Sequence, residues 1–202
     1  MKKVKIAVFV SGTGTNLQAL IDAEKAGKIP SCELALVVSS NSHAQAIQRA
    51  EEAGIPVRVN SKKRYPDVDV RTAKLNETLQ EYEIDMIVLA GYLGIIRRET
   101  LELYPDRILN IHPSLMPSFC GTGFYGKTVH EAALTYGVKI TGATVHLVTL
   151  GVDEGPILMQ KAVEVLPGDT PDTLQQRVLE QAEWVILPQA VEMVAQKVLK
   201  EA

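Results

Sequence analysis

The sequence predicts an α/β protein: a mostly parallel, doubly wound (Rossmann-like) sheet with a C-terminal antiparallel hairpin and a terminal helix. Three observations predict it. Short, nearly all-apolar runs alternate with amphipathic stretches of helical period, as strands buried on both faces by crossover helices do. A glycine-rich turn, Ser11-Gly12-Thr13-Gly14-Thr15-Asn16, follows directly on the first apolar run. Late in the chain two strand-like runs succeed each other across one tight, Gly- and Asp-containing connection, which suits an antiparallel pair.

Taken in order, Val4 to Val10 reads as a strand, followed by the glycine turn and a helix from about Asn16 to Ala26. Leu34 to Ser39 is a second strand, and His43 to Ala53 an amphipathic helix stopped by Gly54. Val57 to Val59 is a short strand. A helix over Asp69 to Tyr82 follows, with Leu75, Leu79 and Tyr82 on one face. Met86 to Ala90 is a strand, Arg98 to Leu103 a helical turn, and Arg107 to Ile111 a strand ended by Pro113 and Pro117. Ser118 to Lys127, with three glycines and three aromatics, reads as a functional loop, and Thr128 to Tyr136 as a helix. Ile140 to Val148 and Ile157 to Val165 form the hairpin. The last helix opens at Asp169-Thr170-Pro171-Asp172 and is expected to bend at Pro188. The whole of 1–202 is expected to be one domain, its halves meeting near residue 105.

Bulk properties narrow the function. Hydrophobic residues at 46% and charged residues at 22% are those of a soluble globular chain. A net charge of −3 gives no broad attraction to nucleic acid or membrane. Only two cysteines, Cys32 and Cys120, occur without metal spacing, so we expect no metal and a reducing, cytoplasmic compartment. The N-terminal apolar run is too short for a signal peptide and lacks its cleavage site.

Three places carry candidate chemistry. The glycine turn at a helix start offers free N–H groups to an anion. It lacks the third glycine of a dinucleotide fingerprint (Leu17 stands there) and the Lys of a P-loop, so it suits a monophosphate. A purely structural turn is the alternative. Lys62, Lys63, Arg64 and Arg71 are candidate cations for the same phosphate, or a solvated face. Second, Asn110 and His112 lie two apart in an extended segment and project from one side, an amide donor beside a group that titrates near neutrality. A turn in which Asn110 caps backbone and His112 fills space accounts for that pair equally well. Third, Asp153 lies in the hairpin turn, where backbone hydrogen bonding is its ordinary role. Together the three make an acid–base set.

The blocks SGTGTN, LAGY, NIHPSLMPSF, GATVHLVT and VDEGPILMQ, in this order from about Lys5 to Pro188, resemble the glycinamide ribonucleotide (phosphoribosylglycinamide) formyltransferase family. The resemblance implies transfer of a formyl group from 10-formyltetrahydrofolate to glycinamide ribonucleotide in purine synthesis. It implies Asn110, His112 and Asp153 as catalytic residues, and Gly14, Thr15 and Asn16 as the substrate phosphate loop. It also implies a folate segment at Leu93, Gly94, Ile95 and Ile96, with Asn110 and the Thr149, Leu150, Gly151, Val152 turn on the same ligand. The chain departs from the family pattern at four places: Leu93-Gly94 replaces Met-Arg, Phe119-Cys120-Gly121 replaces FPG, and Glu183-Trp184 replaces Glu-His. The family's phosphate-binding Arg has no ungapped match, Arg71 being nearest, and Glu183 is carried over as a ligand of the substrate amine.

Other polar residues have plainer readings. Ser114 and Cys120 are structural, since Ser114 lies in no GxSxG elbow and Cys120 has no evident base. His146 either supports the site or packs as a structural histidine. His43 and His130 are surface or core fillers, Trp184 packs, and Phe124 and Tyr125 are candidates to cover bound folate. Three rival functions share parts of the pattern. Formyltetrahydrofolate hydrolases carry an N-terminal regulatory domain and usually HHSF in place of HPSL; a first strand at residue 4 leaves no room for that domain. Methionyl-tRNA formyltransferases carry a C-terminal tRNA-binding domain, and the chain ends after one helix. The third rival is a nucleotide-binding module without catalysis.

Overall fold

The strands are Val4–Val10 (β1), Cys32–Ser39 (β2), Val57–Val59 (β3), Met86–Leu89 (β4), Ile108–His112 (β5), Ile140–Leu147 (β6) and Ile157–Glu164 (β7). In the computed structural model, which describes residues 2–201, they form one sheet in the order β3-β2-β1-β4-β5-β6-β7. The pairs from β3 through β5 are parallel, whereas β5–β6 and β6–β7 are antiparallel. The predicted sheet and hairpin are therefore present. The strand after Tyr104 runs one residue further than expected, so His112 is itself a ladder residue, paired with Thr144.

Helices Thr15–Lys25 (α1), Ala46–Glu52 (α2), Val68–Glu81 (α3), Arg98–Leu103 (α4), Lys127–Tyr136 (α5), Pro171–Val178 (α6) and Trp184–Glu201 (α7) cover the two faces. β1 and β4 are apolar and buried along almost their whole length because both faces are covered. Alternate residues split between two cores. Val8 and Val88 join Leu17, Leu20, Leu187 and Val191 from α1 and α7 on one side. Phe9 and Leu89 join Leu75 and Leu79 from α3 on the other. Side chains alternate across a strand, so one sequence parity feeds each core.

Local chemistry sets the helix ends. Asp67 caps α3 by accepting from Asp69 and Val70 N–H, and Thr170 with Thr173 forms a capping box ahead of Pro171. Leu179–Glu183 is a π-helical turn joining α6 to α7, and Pro188, where the sequence predicts a bend, sits inside α7. Proline lacks an N–H and crowds the carbonyl of the preceding turn.

The chain runs from β1 out to β3 on one side of the sheet, then returns to β4 and β5 on the other. The switch point lies between β1 and β4, where ligands of doubly wound sheets bind outside the carboxyl ends of the strands. Both the glycine turn after β1 and the segment after β4 emerge there.

The hairpin also has a tight requirement. A Cβ on Gly142 in β6 would lie 2.0 Å from the Lys161 carbonyl oxygen and 2.9 Å from Leu115 Cδ2, whereas one on Gly12 meets nothing within 4 Å. Gly142→Ala is expected to cost about 1–3 kcal/mol or more by overpacking. Gly12→Ala should leave thermal stability nearly unchanged. Calorimetric melting of both variants checks this, and equal melting temperatures would refute the packing argument.

Candidate active site

Asn110 and His112 leave β5 on one side, as their spacing demands, and Asp153 reaches them from the turn between β6 and β7. Its Oδ2 lies 3.4 Å from His112 Nδ1, its Oδ1 accepts from Asn110 Nδ2 at 3.4 Å, and Gly121 N–H donates to Oδ2 at 2.9 Å. Asp153 adopts φ 55, a left-handed conformation that Asp tolerates better than most residues. The structure thus brings the three expected residues together.

The hydrogen bonds assign the ring tautomers. A carbonyl only accepts, so His112 Nε2–H donates to Phe119 O at 2.9 Å and His146 Nδ1–H donates to Leu147 O at 2.9 Å. His146 Nε2 is then left to accept from Asn110 Nδ2 at 3.0 Å. Of the two readings of His146, the one in which it supports the site is the one its contacts favour: it sits opposite Asn110 in the ladder and orients that amide. Phe119 is held at φ 50, so a strained residue presents the carbonyl that His112 binds.

Burial pushes the His112 imidazolium pKa down, against the Phe119 carbonyl and Asp153, which favour the charged ring. For Asp153, burial raises the pKa but is outweighed by the hydrogen bonds and charge around it, the Gly121 N–H and His112 among them, which hold the carboxyl below its ordinary range. The charged carboxylate draws His112 toward the doubly protonated ring, but burial outweighs it and the net shift of His112 is downward.

The glycine turn forms the second part of the site. Gly14 has φ 74, and a Cβ there would meet Ala46 Cβ at 2.6 Å, so glycine is required. Ser11 to Asn16 line a cavity of about 480 Å³ together with Gly91, Gln175, Gln176, Leu179 and Glu183. Asn16 Nδ2 donates to Glu183 Oε2 at 2.7 Å, while Asn16 Oδ1 is buried without a partner among the described residues. Burial raises the Glu183 carboxyl to about 7, with the Asn16 bond opposing it. Arg71 is not brought to this cavity: it sits in α3 with Nη1 on the Tyr65 carbonyl. Lys62, Lys63 and Arg64 do not line it either. The cation touching the turn is Arg49, whose Nε donates to Thr13 O at 2.9 Å. Arg49 lies on an amphipathic helix with nothing local to distinguish it from a solvated charge, so no sequence signal marked it. Gln175 and Gln176, in the first turns of α6, were equally unmarked.

A second cavity, about 330 Å³, is lined by Leu93 to Ile96, Asn110, His112, Gly121 to Gly126, His146 and the segment from Val148 through Asp153. The expected folate segment and hairpin turn therefore face each other across one space, and Phe124 and Tyr125 line it as well. Gly91, Leu93, Ile111, Pro113, Tyr125 and Gly126 wall both cavities, so the two spaces adjoin. Gly94 has a local reason: a Cβ there would lie 2.5 Å from the Tyr92 ring, which is folded beneath the segment. Among the other residues, Ser114 Oγ donates to Ser118 O and Cys120 Sγ to Pro117 O. His130 is wholly buried, and its two ring nitrogens have no partner among the described residues. Among the described residues no three His, Cys, Asp or Glu side chains converge to hold a metal ion.

Comparison with known proteins gives a consistent picture. A profile described as formyl transferase matches residues 4–191. The human trifunctional purine biosynthetic protein adenosine-3 is 42% identical over 194 residues, which is 96% of this chain but 18% of that protein. A chloroplastic phosphoribosylglycinamide formyltransferase of Arabidopsis thaliana is 40% identical over 181 residues, 89% of this chain and 62% of its own. The chain thus spans about a fifth of the trifunctional relative and less than two thirds of the plant one. The crystal structure of glycinamide ribonucleotide transformylase 1 from Symbiobacterium toebii superposes with a TM-score of 0.90 at 42% identity, covering 96% of this chain and 89% of that one.

Glu183 yields a test of the site's electrostatics. Its folded pKa, about 7, lies above the ordinary 4.5, so the folded state holds the proton more tightly than the unfolded chain. Stability from this group is therefore full below about pH 4.5 and is lost as pH rises toward 7. Glu183→Gln keeps an acceptor for Asn16 and should gain on the parent chain over that window, levelling off at roughly 2–3 kcal/mol. Denaturant melts at pH 4.5, 6 and 8 check it; a difference that does not change with pH would show that the carboxyl is ionised throughout.

Proposed function

The chain belongs to the formyl transferase family, and we propose that it transfers the formyl group of 10-formyltetrahydrofolate to the amine of glycinamide ribonucleotide, in purine biosynthesis. The observation that carries the reading is the Asp153–His112–Asn110 contact, made on the wall of the second cavity beside Ile111 and Pro113, which line both cavities. One cavity offers N–H groups and Glu183 to a phosphorylated amine. The other offers apolar loops to a flat heterocycle.

In this reading the substrate phosphate rests on the turn at Gly14, Thr15 and Asn16, with Glu183, bonded to Asn16, lining the same cavity. The folate lies between Leu93 to Ile96 and Thr149 to Val152, covered by Phe124 and Tyr125. Fixing amine against formyl carbon supplies most of the acceleration. The amine lone pair attacks the formyl carbon, and the carbonyl oxygen becomes an oxyanion met by the Asn110 amide and the His112 imidazolium. Asp153 favours that charge as the oxyanion develops, against the desolvation that lowers the His112 pKa in the free site. The proton the amine gives up passes to His112 directly or through water, His112 delivers a proton to the folate nitrogen by the same route, and the carbon–nitrogen bond to folate breaks. Products are the N-formylated ribonucleotide and tetrahydrofolate, with no covalent enzyme intermediate. The free thiols Cys32 and Cys120 fit a reducing compartment, and we assign the chain to the cytoplasm.

Formyl transfer should be assayed with glycinamide ribonucleotide, water and methionyl-tRNA as alternative acceptors. Transfer to the ribonucleotide is expected to dominate; release of formate to water as the main reaction would make the chain a hydrolase instead. Asn110→Ala should lower kcat by about 10²–10³, as removal of an oxyanion donor does. His112→Ala and Asp153→Asn should lower kcat more than they raise either KM. Near-native rates in all three variants would end the mechanism.

A further inference from the structure

We infer that Arg49 is a positioning residue that sets the phosphate-binding turn from behind, an inference that rests on the phosphate reading of that turn. An anion site built from backbone needs its N–H groups turned toward the ligand and its carbonyls turned away. Three successive carbonyls of the turn are each bound to a donor. Gly12 O accepts from Ala46 N–H at 3.1 Å, Thr13 O from Arg49 Nε at 2.9 Å, and Gly14 O from Gln18 N–H at 2.9 Å. The N–H groups of Thr13, Gly14, Thr15 and Asn16 donate to no acceptor among the described residues. α2 thus supplies two of the three donors, one from its first backbone N–H and one from a charged side chain.

Arg49 does not share the substrate cavity. It lines a groove on the other side of the turn, between α1 and α7, with Gln18, Asp22, Lys28 and Trp184. It therefore acts through the turn and not by touching phosphate. Two donors of one rigid plane are engaged: Nε holds Thr13 O, and Nη1 donates to Gln18 Oε1 at 3.1 Å, one turn into α1. A planar donor that spans turn and helix fixes the left-handed Gly14 between them. The positive charge also raises the potential behind an anion that lies one peptide away.

The test uses the whole chain. Arg49→Gln keeps a donor without charge or fork, and Arg49→Lys keeps charge without the fork. In Arg49→Gln the KM for glycinamide ribonucleotide should rise about tenfold, the scale of one charge-assisted hydrogen bond. Its kcat should stay within about twofold, and the KM for the formyl donor and the melting temperature should be unchanged. Arg49→Lys should fall between parent and Gln. Calorimetric titration with ribose 5-phosphate measures binding apart from catalysis. If the parent chain transferred no formyl group, the proposed function would fail, yet weaker ribose 5-phosphate binding by Arg49→Gln would still uphold the role of Arg49. Parent-like KM and phosphate affinity in Arg49→Gln would overturn it, as would a loss confined to kcat.

Discussion

The carboxylate of Asp153 is removed from most solvent by a turn between two antiparallel strands, and it stays charged because three groups face its two oxygens. They are the Asn110 amide, the His112 ring and the Gly121 N–H, while His146 acts through Asn110. Leaving a buried carboxylate without such partners costs several kcal/mol. The β6–β7 hairpin must therefore dock on β5, and the segment from Phe119 to Gly121 must fold over it. Only then is the charge satisfied. One interaction ties strand, hairpin and loop into a single arrangement, and the same interaction sets the protonation of His112.

The sheet supplies the rigid frame for this. β1 and β4 are buried on both faces, and their carboxyl ends emit the two segments that begin the cavities. Ser11 Oγ accepts from Leu93 N–H at 2.8 Å, so the phosphate turn and the segment after β4 are joined directly at the switch point. A parallel sheet alone would leave β5 as an edge. Adding β6 and β7 antiparallel to it returns the chain to the same end of the sheet, which is how a residue of the late hairpin faces residues of β5. His146 owes its place to that ladder, since the register puts it opposite Asn110.

Electrostatics divides the site into unlike halves. Around Asp153, hydrogen bonds and imidazoles overcome burial and keep a carboxyl ionised. Around Glu183, burial wins over a single bond from Asn16, and the carboxyl holds its proton to about pH 7. Two acidic side chains in adjoining cavities are thus poised differently because one has several donors and the other has one.

By itself, the sequence determined what depends on period and on local steric rules. Alternation of apolar runs with helical stretches gave the order of elements, prolines ended β5, and the two-residue spacing put Asn110 and His112 on one side. Gly14 was legible because a helix start in left-handed conformation needs it. The cation at the phosphate turn was not: Arg49 and Arg71 are both arginines on short amphipathic helices, and only the packing of α2 against the turn distinguishes them. The tertiary structure likewise decided the tautomers of His112 and His146, the widened turn ahead of Pro188 and the meeting of Asp153 with a strand 43 residues away. Contacts at such separation depend on strand order and register, which no local pattern encodes.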